Sequence, residues 1–184
     1  MKPGTIVFRG QTKKGREIVV RYPLGSDVSA LRNYINTLSR EKTFIRFQGE
    51  QVSLADERKY LNSYLKKMKK SEAVKLMVFC QNKLVAVSNI NLKDKISGHV
   101  GVFGVTVTKS FRNEGIGKLL MKLVFKEAKK IKKLKIITLE IFANNPVALR
   151  LYRKRFGFKE YGRLPQGIKH RGKFVDDIFL YKKV

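Results

Sequence analysis

Residues 105–120 read VTVTKSFRNEGIGKLL: an alternating apolar run, an arginine, two glycines two positions apart, and the start of an apolar pattern at helical spacing. Strand, glycine turn and helix in this order aim backbone N–H groups and the positive end of a helix dipole at an anion such as phosphate. Downstream, the apolar run KIITLEIF is interrupted by Glu140, and a carboxylate there must face a cleft or find a partner. The residues therefore offer phosphate binding together with an acid or base.

Two nucleotide loops fail by position. A Walker loop ending at Lys118 needs glycine five residues before Gly117, where Arg112 stands, and Ser or Thr after Lys118, where Leu119 stands. A dinucleotide loop beginning at Gly115 needs a third small residue where Leu120 stands, and no βαβ unit of a parallel sheet opens the chain.

Other elements must hold this turn. TIVFRG, the polar turn QTKKG and REIVVRY predict a β-hairpin within 1–22. Ser26 or Asp27 can cap a helix carrying Leu31, Tyr34, Ile35 and Leu38, and Ser53, with Asp56 three residues on, opens a second through Leu61, Tyr64, Leu65 and Met68. KLMVFC and KLVAVSNINL pair about Gln81 and Asn82, and HVGVFGVTV is a strand entering the glycine turn. From Gly115, apolar residues Ile116, Leu119, Leu120, Leu123, Val124, Ala128 and Ile131 keep a 3.6-residue period, and the run KKIKKLK at 129–135 closes that helix. KIITLEIF is a strand and NPVALRLYRKRF a helix with Pro146 in its first turn. Gly157 then leads to two strands around FKEYG and FVDDIFLYK, with RLPQGIKHRGK as the loop before the last. The predicted order, ββααβββαβαββ, is a mixed α/β fold in one domain over 1–184.

Composition narrows the function. A chain of 184 residues with 43% hydrophobic and 30% charged residues can bury one core and is too apolar to stay disordered. No run of about 18 apolar residues occurs and the N-terminus lacks an apolar signal core, so no membrane span or secretory signal is expected, and a cytoplasmic location is. The single cysteine, Cys80 in LMVFC, excludes an intrachain disulfide and a Cys-based zinc site, and no metal is expected. Forty-one Lys and Arg against 14 Asp and Glu give a formal charge of +27, which attracts any polyanion. No zinc-finger spacing, RNA-binding aromatic motif or heptad repeat accompanies that charge, so nucleic acid is a partner the basic surface permits but not the main role. A solvated helix face matched to the C-terminal dipole accounts for KKIKKLK without a ligand.

RNEGIG has the pattern Arg or Gln, two residues, Gly, any residue, Gly or Ala. NPVALRLYRKRFGF follows one helix and one strand later, with asparagine, alanine, Leu-Tyr and Gly-Phe in order. On these motifs the sequence resembles the GNAT superfamily of acetyl-CoA-dependent N-acetyltransferases over nearly the whole chain. The resemblance implies a mixed, mostly antiparallel central sheet flanked by helices, with acceptor-side helices in 27–70 and an acetyl-CoA-binding core in 98–158. It further implies that main-chain groups of Asn113, Glu114, Gly115, Ile116, Gly117 and Lys118 cradle the coenzyme A pyrophosphate. Glycine at 115 and 117 removes Cβ atoms that would block close approach. Arg112 would brace the turn or add charge, and the acidic Glu114 is expected to point outward. Val105, Thr106 and Val107 would pair with the pantetheine arm like an added strand and offer an N–H to the thioester carbonyl.

The resemblance also assigns chemistry. Tyr152 is similar to the tyrosine aimed at the thioester sulfur, a proton donor to the departing thiolate, though Leu149, Tyr152 and Phe156 also form a helical stripe suited to a core. Asn145 is similar to the asparagine that bonds the pantetheine amide, and it is equally a helix N-cap before Pro146. The amine must be neutral to attack, although an unperturbed lysine has a pKa of about 10.4, so a base is wanted. Glu140 stands five residues before Asn145 and twelve before Tyr152, the spacing of the branch that acetylates protein N-terminal amines, including those of ribosomal proteins. It is the expected base, acting through water, with an ion pair to a lysine as the alternative. His99 is the second candidate, and His170, in a predicted surface turn, could help only at the acceptor entrance.

Around the implied acceptor groove, residues 44–51 and RLPQGIKHRGK, stand Arg163, Lys169, Arg171 and Lys173 against Glu41 and Glu50. A basic rim repels polyamines and lysine-rich substrates, so the expected acceptor is a protein amine, N-terminal or lysine, with a small-molecule amine or amino-acid analogue as the alternative. A non-catalytic basic nucleic-acid binder on the same scaffold is the rival of another class. The oligomeric state is open, a dimer included.

Overall fold

A computed structural model describes residues 1–184. The chain divides into two compact units, Met1–Asn91 with Gly104–Lys132, and Leu92–Phe103 with Lys133–Val184. The fold is mixed α/β with eight strands, most of them paired antiparallel, and the elements follow the expected order.

In the first unit, β1 (Ile6–Gln11) and β2 (Glu17–Arg21) form the predicted hairpin, running from Ile6↔Arg21 to Gln11↔Glu17. β2 pairs antiparallel with β3 (Ala73–Cys80), and β3 with β4 (Lys83–Leu92). Between those two strands Gln81 and Asn82 take φ of 46° and 62°, the two left-handed residues that the tightest hairpin turn requires. α1 (Val28–Arg40) and α2 (Leu54–Lys69) pack Leu31, Tyr34, Leu38 and Leu61 against Met77, Leu84 and Val87 of the sheet. Ser53 caps α2 as its spacing predicts, accepting the Asp56 N–H at 3.1 Å. Asp27 does not cap α1: its carboxylate turns back to the Leu24 N–H and to the Arg21 guanidinium, 2.7 Å from each oxygen. A bidentate charged pair outcompetes a single capping bond.

β5 (Val100–Val107) ends in the glycine turn, and α3 (Ile116–Ala128) follows. α3 stops three residues short of Ile131, so all of KKIKKLK lies past the helix and not on its last turn. Ile131 and Leu134 are nonetheless buried, because the connecting chain turns inward at the two apolar positions of that run. β3 is buried along both faces, with α2 and α3 packed on it, and its Lys75 is buried too. The Lys75 ammonium donates to the Tyr60 hydroxyl at 2.8 Å and lies 4.4 Å from the ring centres of Tyr60 and Tyr64. Glu57 is buried as well, and burial pushes its carboxyl up while Lys75 opposes the shift.

In the second unit, the start of β5 runs parallel to β6 (Ile136–Phe142), from Val100↔Ile136 to Val102↔Thr138. β6 pairs antiparallel with β8 (Lys173–Lys183), and β8 with β7 (Lys159–His170), which is the sheet edge. The expected loop RLPQGIKHRGK is therefore mostly strand. A bulge between Leu164 and Ile168 absorbs Pro165, the left-handed Gln166 and Gly167, since proline cannot donate to a ladder, and only Arg171 and Gly172 make the turn. The helix predicted over 145–156 is also divided. α4 is Pro146–Arg150, and a wider π-helical turn, Leu151–Arg155, completes the segment before left-handed Gly157.

Replacing Tyr60 with leucine strips Lys75 of its hydrogen-bond acceptor and one aromatic face, and is expected to cost about 1–3 kcal/mol in urea unfolding. Lys75→Met removes the buried charge at similar volume and is expected to change stability by no more than about 1 kcal/mol. Equal losses in the two variants would show that shape alone, and not the buried charge, sets stability here.

Candidate functional site

The turn after β5 is held from behind by side chains. Arg112 donates from Nε to the Val107 carbonyl at 3.0 Å and forms an ion pair with Glu41, whose other oxygen accepts the Lys109 N–H at 3.0 Å. Arg112 thus braces the turn, and Glu41 neutralises it. Asn113 and Gly115 take φ of 64° and 86°, left-handed conformations that asparagine and glycine tolerate. Gly115 is the N-cap of α3 and offers no side chain to it, so the first N–H groups of the helix are left to solvent or a ligand.

The two glycines differ. A Cβ at Gly115 would meet the Lys13 side chain at 3.4 Å in a strained backbone, whereas a Cβ at Gly117 would meet nothing within 4 Å. The chain's own packing therefore asks for glycine at 115 and not at 117. A small residue at 117 makes sense where something from outside must approach the backbone.

Glu114 corrects the expectation that it points outward. Its side chain is fully buried, accepts from Thr12 Oγ1 at 2.8 Å, and lies 3.5 Å from Arg16 and 4.0 Å from Lys14, while its carbonyl accepts the Lys13 N–H at 3.0 Å. The β1–β2 hairpin turn removes this charge from the outer face of the loop, where it would repel an anion. Ile116 is buried in the core and Lys118 is exposed. A cavity of about 310 Å³ beside the turn is lined by Lys13, Gly115, Lys118 and Lys122, among others. Val105, Thr106 and Val107 are half-buried, and Thr106 Oγ1 shares a 2.8 Å hydrogen bond with the Tyr34 hydroxyl. Burial raises the Tyr34 phenol well above its ordinary range, so it stays neutral. A second cavity, of about 800 Å³, is lined by Tyr34, Thr37, Glu41, Lys83 and Lys109.

The second unit carries Glu140, Asn145 and Tyr152. Tyr152, in the π-helical turn, is buried edge-on to Phe103, with ring centres 6.1 Å apart, and 6.0 Å from Phe158. Burial pushes its phenol up to about 12. Asn145 is the N-cap of α4 and accepts the Ala148 N–H at 3.3 Å. Glu140 is exposed on β6, opposite Phe179, and its charge contributes, after burial, to raising the Tyr161 phenol. His99 is an exposed turn residue whose carbonyl accepts the Lys135 N–H at 2.8 Å. His170 is not on a surface turn: it ends β7, only 1% exposed, against Phe142 and Asn144.

Thr12, Arg16 and Glu41 had no local sequence signal, because each acts across 68 residues or more of chain. No group of three His, Cys, Asp or Glu side chains stands together to hold a metal, and no helix is long and apolar enough to cross a membrane. Cys80 is a free, buried thiol.

Comparison with known proteins follows these motifs. A family model described as the acetyltransferase (GNAT) family matches residues 36–158. A probable spermine N(1)-acetyltransferase of Bacillus subtilis subsp. natto is 36% identical over 72 residues, 39% of this chain and 47% of that protein. The chain thus spans about half the length of the curated relatives it matches. Among solved structures, a GNAT-family acetyltransferase from Streptococcus pneumoniae superposes with a TM-score of 0.82 at 24% identity, covering 91% of this chain and 100% of that one. RimL, a ribosomal L7/L12 alpha-N-protein acetyltransferase in complex with coenzyme A, has a TM-score of 0.76 at 17% identity, covering 98% of both chains. At these identities the two structures bear on the fold.

Thr12→Val keeps the shape but leaves the buried Glu114 carboxylate without its hydroxyl donor, and is expected to cost about 1–3 kcal/mol in urea unfolding. Thr12→Ser, which keeps the donor, is expected to stay within about 1 kcal/mol of wild type. A wild-type unfolding midpoint in the valine variant would mean that Arg16 and Lys14 alone hold Glu114.

Proposed function

The chain belongs to the acetyltransferase (GNAT) family, and from that premise we propose that it transfers the acetyl group of acetyl-CoA to a primary amine, with 1–184 as one acetyltransferase domain. The observation that carries the reading is the turn at 112–118. Its one acidic side chain is buried on the inner side, its arginine is neutralised from behind, and Gly117 leaves the backbone open where packing does not require it. Such a turn suits the coenzyme A pyrophosphate, bound mainly by the N–H groups of residues 113–118 and supported by the nearby Lys118. Val105, Thr106 and Val107 are assigned to the pantetheine arm, and Asn145 to its amide alongside the capping bond it already makes.

In the reaction the neutral amine attacks the thioester carbonyl, the C–S bond breaks and the electron pair leaves on sulfur. A phenol raised to about 12 stays protonated at neutral pH and can donate. Outright transfer from it to a thiolate of pKa about 8.5 is uphill by roughly 5 kcal/mol. Tyr152 therefore acts first as a hydrogen-bond donor to the developing thiolate. It completes the transfer only as the proton lost by the amine replaces its own. Glu140, exposed on β6, is assigned to relay that one proton, taking it from the amine through water and returning it through water to Tyr152.

A protein amine remains the favoured acceptor, by the motif spacing of Glu140, Asn145 and Tyr152 and by the Lys169, Arg171 and Lys173 positions flanking the β7–β8 turn. One observation favours a small amine: the curated relative with 36% identity over 72 residues is described as a spermine acetyltransferase. The rim is also less basic than its composition, since Arg163 is paired with Glu160 and Asp176. A thiol-release assay with N-terminal peptides, lysine peptides and polyamines decides between the two acceptors.

Calorimetric titration with acetyl-CoA is expected to give saturable binding in the micromolar range, and no heat at high micromolar cofactor would overturn the enzyme reading. Tyr152→Phe is expected to lower kcat by about 10- to 100-fold with cofactor affinity nearly unchanged. A large loss of affinity instead would make Tyr152 a packing residue. For Glu140→Gln the acidic limb of the pH–rate profile is expected to disappear, and an unaltered profile removes Glu140 as base.

A further inference from the structure

We propose that His170 is a positioning residue for acetyl transfer, fixing the corner between β6 and α4 from which Asn145 and Tyr152 are presented. The inference rests on the acetyltransferase reading above and adds a residue that neither motif contains.

β7 is an edge strand along which nearly every side chain is exposed or half-buried, yet its last residue, His170, is 1% exposed. An imidazole buried at the end of an exposed strand needs a partner, and it has two on the same corner. Its Nδ1 lies 3.1 Å from Asn144 Nδ2, and its ring meets Phe142 edge-on, with centres 5.2 Å apart and planes at 75°. Phe142 and Asn144 flank Ala143, whose N–H donates to the Asp176 carbonyl at 2.9 Å. The Asn145 N–H then donates back to the Phe142 carbonyl at 3.0 Å, and the Asn145 side chain caps Ala148.

The consequence follows from the length of α4. A helix of five residues forms almost no internal hydrogen bonds and cannot set its own direction. It takes its direction from the corner before it and from the packing of Tyr152 after it, in the π-helical turn between Phe103 and Phe158. His170 grips that corner at a side chain and at a ring, so loosening it turns the start of α4 and moves the Tyr152 hydroxyl. As placed, the amide of Asn144 donates and Nδ1 accepts.

The test uses the full chain with His170→Phe, which keeps a ring against Phe142 but removes Nδ1, with His170→Gln, which can restore an acceptor, with Asn144→Ala, and with the double variant His170→Phe/Asn144→Ala. For His170→Phe a single-turnover rate at saturating acetyl-CoA about 10-fold below wild type is expected, with acetyl-CoA affinity within about threefold, because the pyrophosphate turn is untouched. His170→Gln recovers most of the rate, and the double variant is no slower than His170→Phe, since both changes cut one contact. Ring resonances of Tyr152 and the amide of Ala148 shift in His170→Phe while amides 113–118 do not. An unchanged rate, losses that add in the double variant, or unmoved Tyr152 resonances overturn the proposal. Should His170→Phe not fold, the His170→Gln and Asn144→Ala rates and spectra decide it by the same criteria. A wild-type chain that binds acetyl-CoA and transfers acetyl, with His170 variants equally fast, sinks this inference alone. A wild-type chain that binds no acetyl-CoA sinks the reading beneath it as well.

Discussion

The buried carboxylate of Glu114 sets the terms for the turn at the end of β5. A turn that offers its N–H groups outward cannot use them to hold itself together, so it must be fixed by side chains from behind. Taking a carboxylate out of water costs several kcal/mol unless hydrogen bonds and opposite charges compensate it. Thr12 at 2.8 Å and Arg16 at 3.5 Å supply both, and both come from the β1–β2 turn. The N-terminal hairpin is thereby the back wall of the loop. From another direction Arg112 ties the Val107 carbonyl to Glu41, the C-cap residue just past α1, so the strand end, the helix end and the loop share one charged bridge. The outcome is a loop whose inner side carries paired charge and whose outer side is backbone, Gly117 and exposed Lys118.

The same constraint explains why the loop was readable in sequence and its support was not. RNEGIG is local, and its glycines, arginine and following helix lie within a few residues. Thr12 and Glu114 are 102 positions apart, and nothing in either neighbourhood announces the other. An acidic residue in such a loop suggested a side chain turned to solvent, because no buried partner for its charge is visible in the neighbouring sequence. The burial of that side chain comes from a third element.

Periodicity carried the rest of the fold. Alternation in REIVVRY, the caps at Ser53 and Asn145, and the two-residue turn Gln81–Asn82 are each decided within one element, and each stands as read. The departures share a cause, which is tertiary pairing overriding punctuation. Pro165 and Gly167 marked a loop, but the ladder with β8 continues on both sides of them and a bulge takes up the difference. His170 looked like a turn residue because Arg171 and Gly172 follow it, yet it is pulled inward by Phe142 and Asn144 of a different strand end. The apolar positions of 149–156 kept a helical period through a stretch that the chain winds partly as a π turn.

The packing of Tyr152 and Asn145 is compatible with the chemical roles proposed for them. Asn145 spends one oxygen lone pair on the Ala148 N–H and keeps its amide donors, so capping α4 does not forbid a bond to a pantetheine carbonyl. Tyr152 is wedged between two phenylalanines, and burial in that apolar seat raises its phenol further above neutral pH. Charge local to the acceptor would act on the other reactant. An amine approaching a surface rich in lysine is repelled as the ammonium ion, and the same neighbouring charge lowers its pKa, each unit of which raises the neutral fraction about tenfold. Screening confines the effect to charges within about 8 Å at physiological salt, so the lysines and arginines beside the acceptor decide it and the net charge of +27 does not. Basic side chains within that distance would disfavour a polycation while favouring the deprotonated form of an amine.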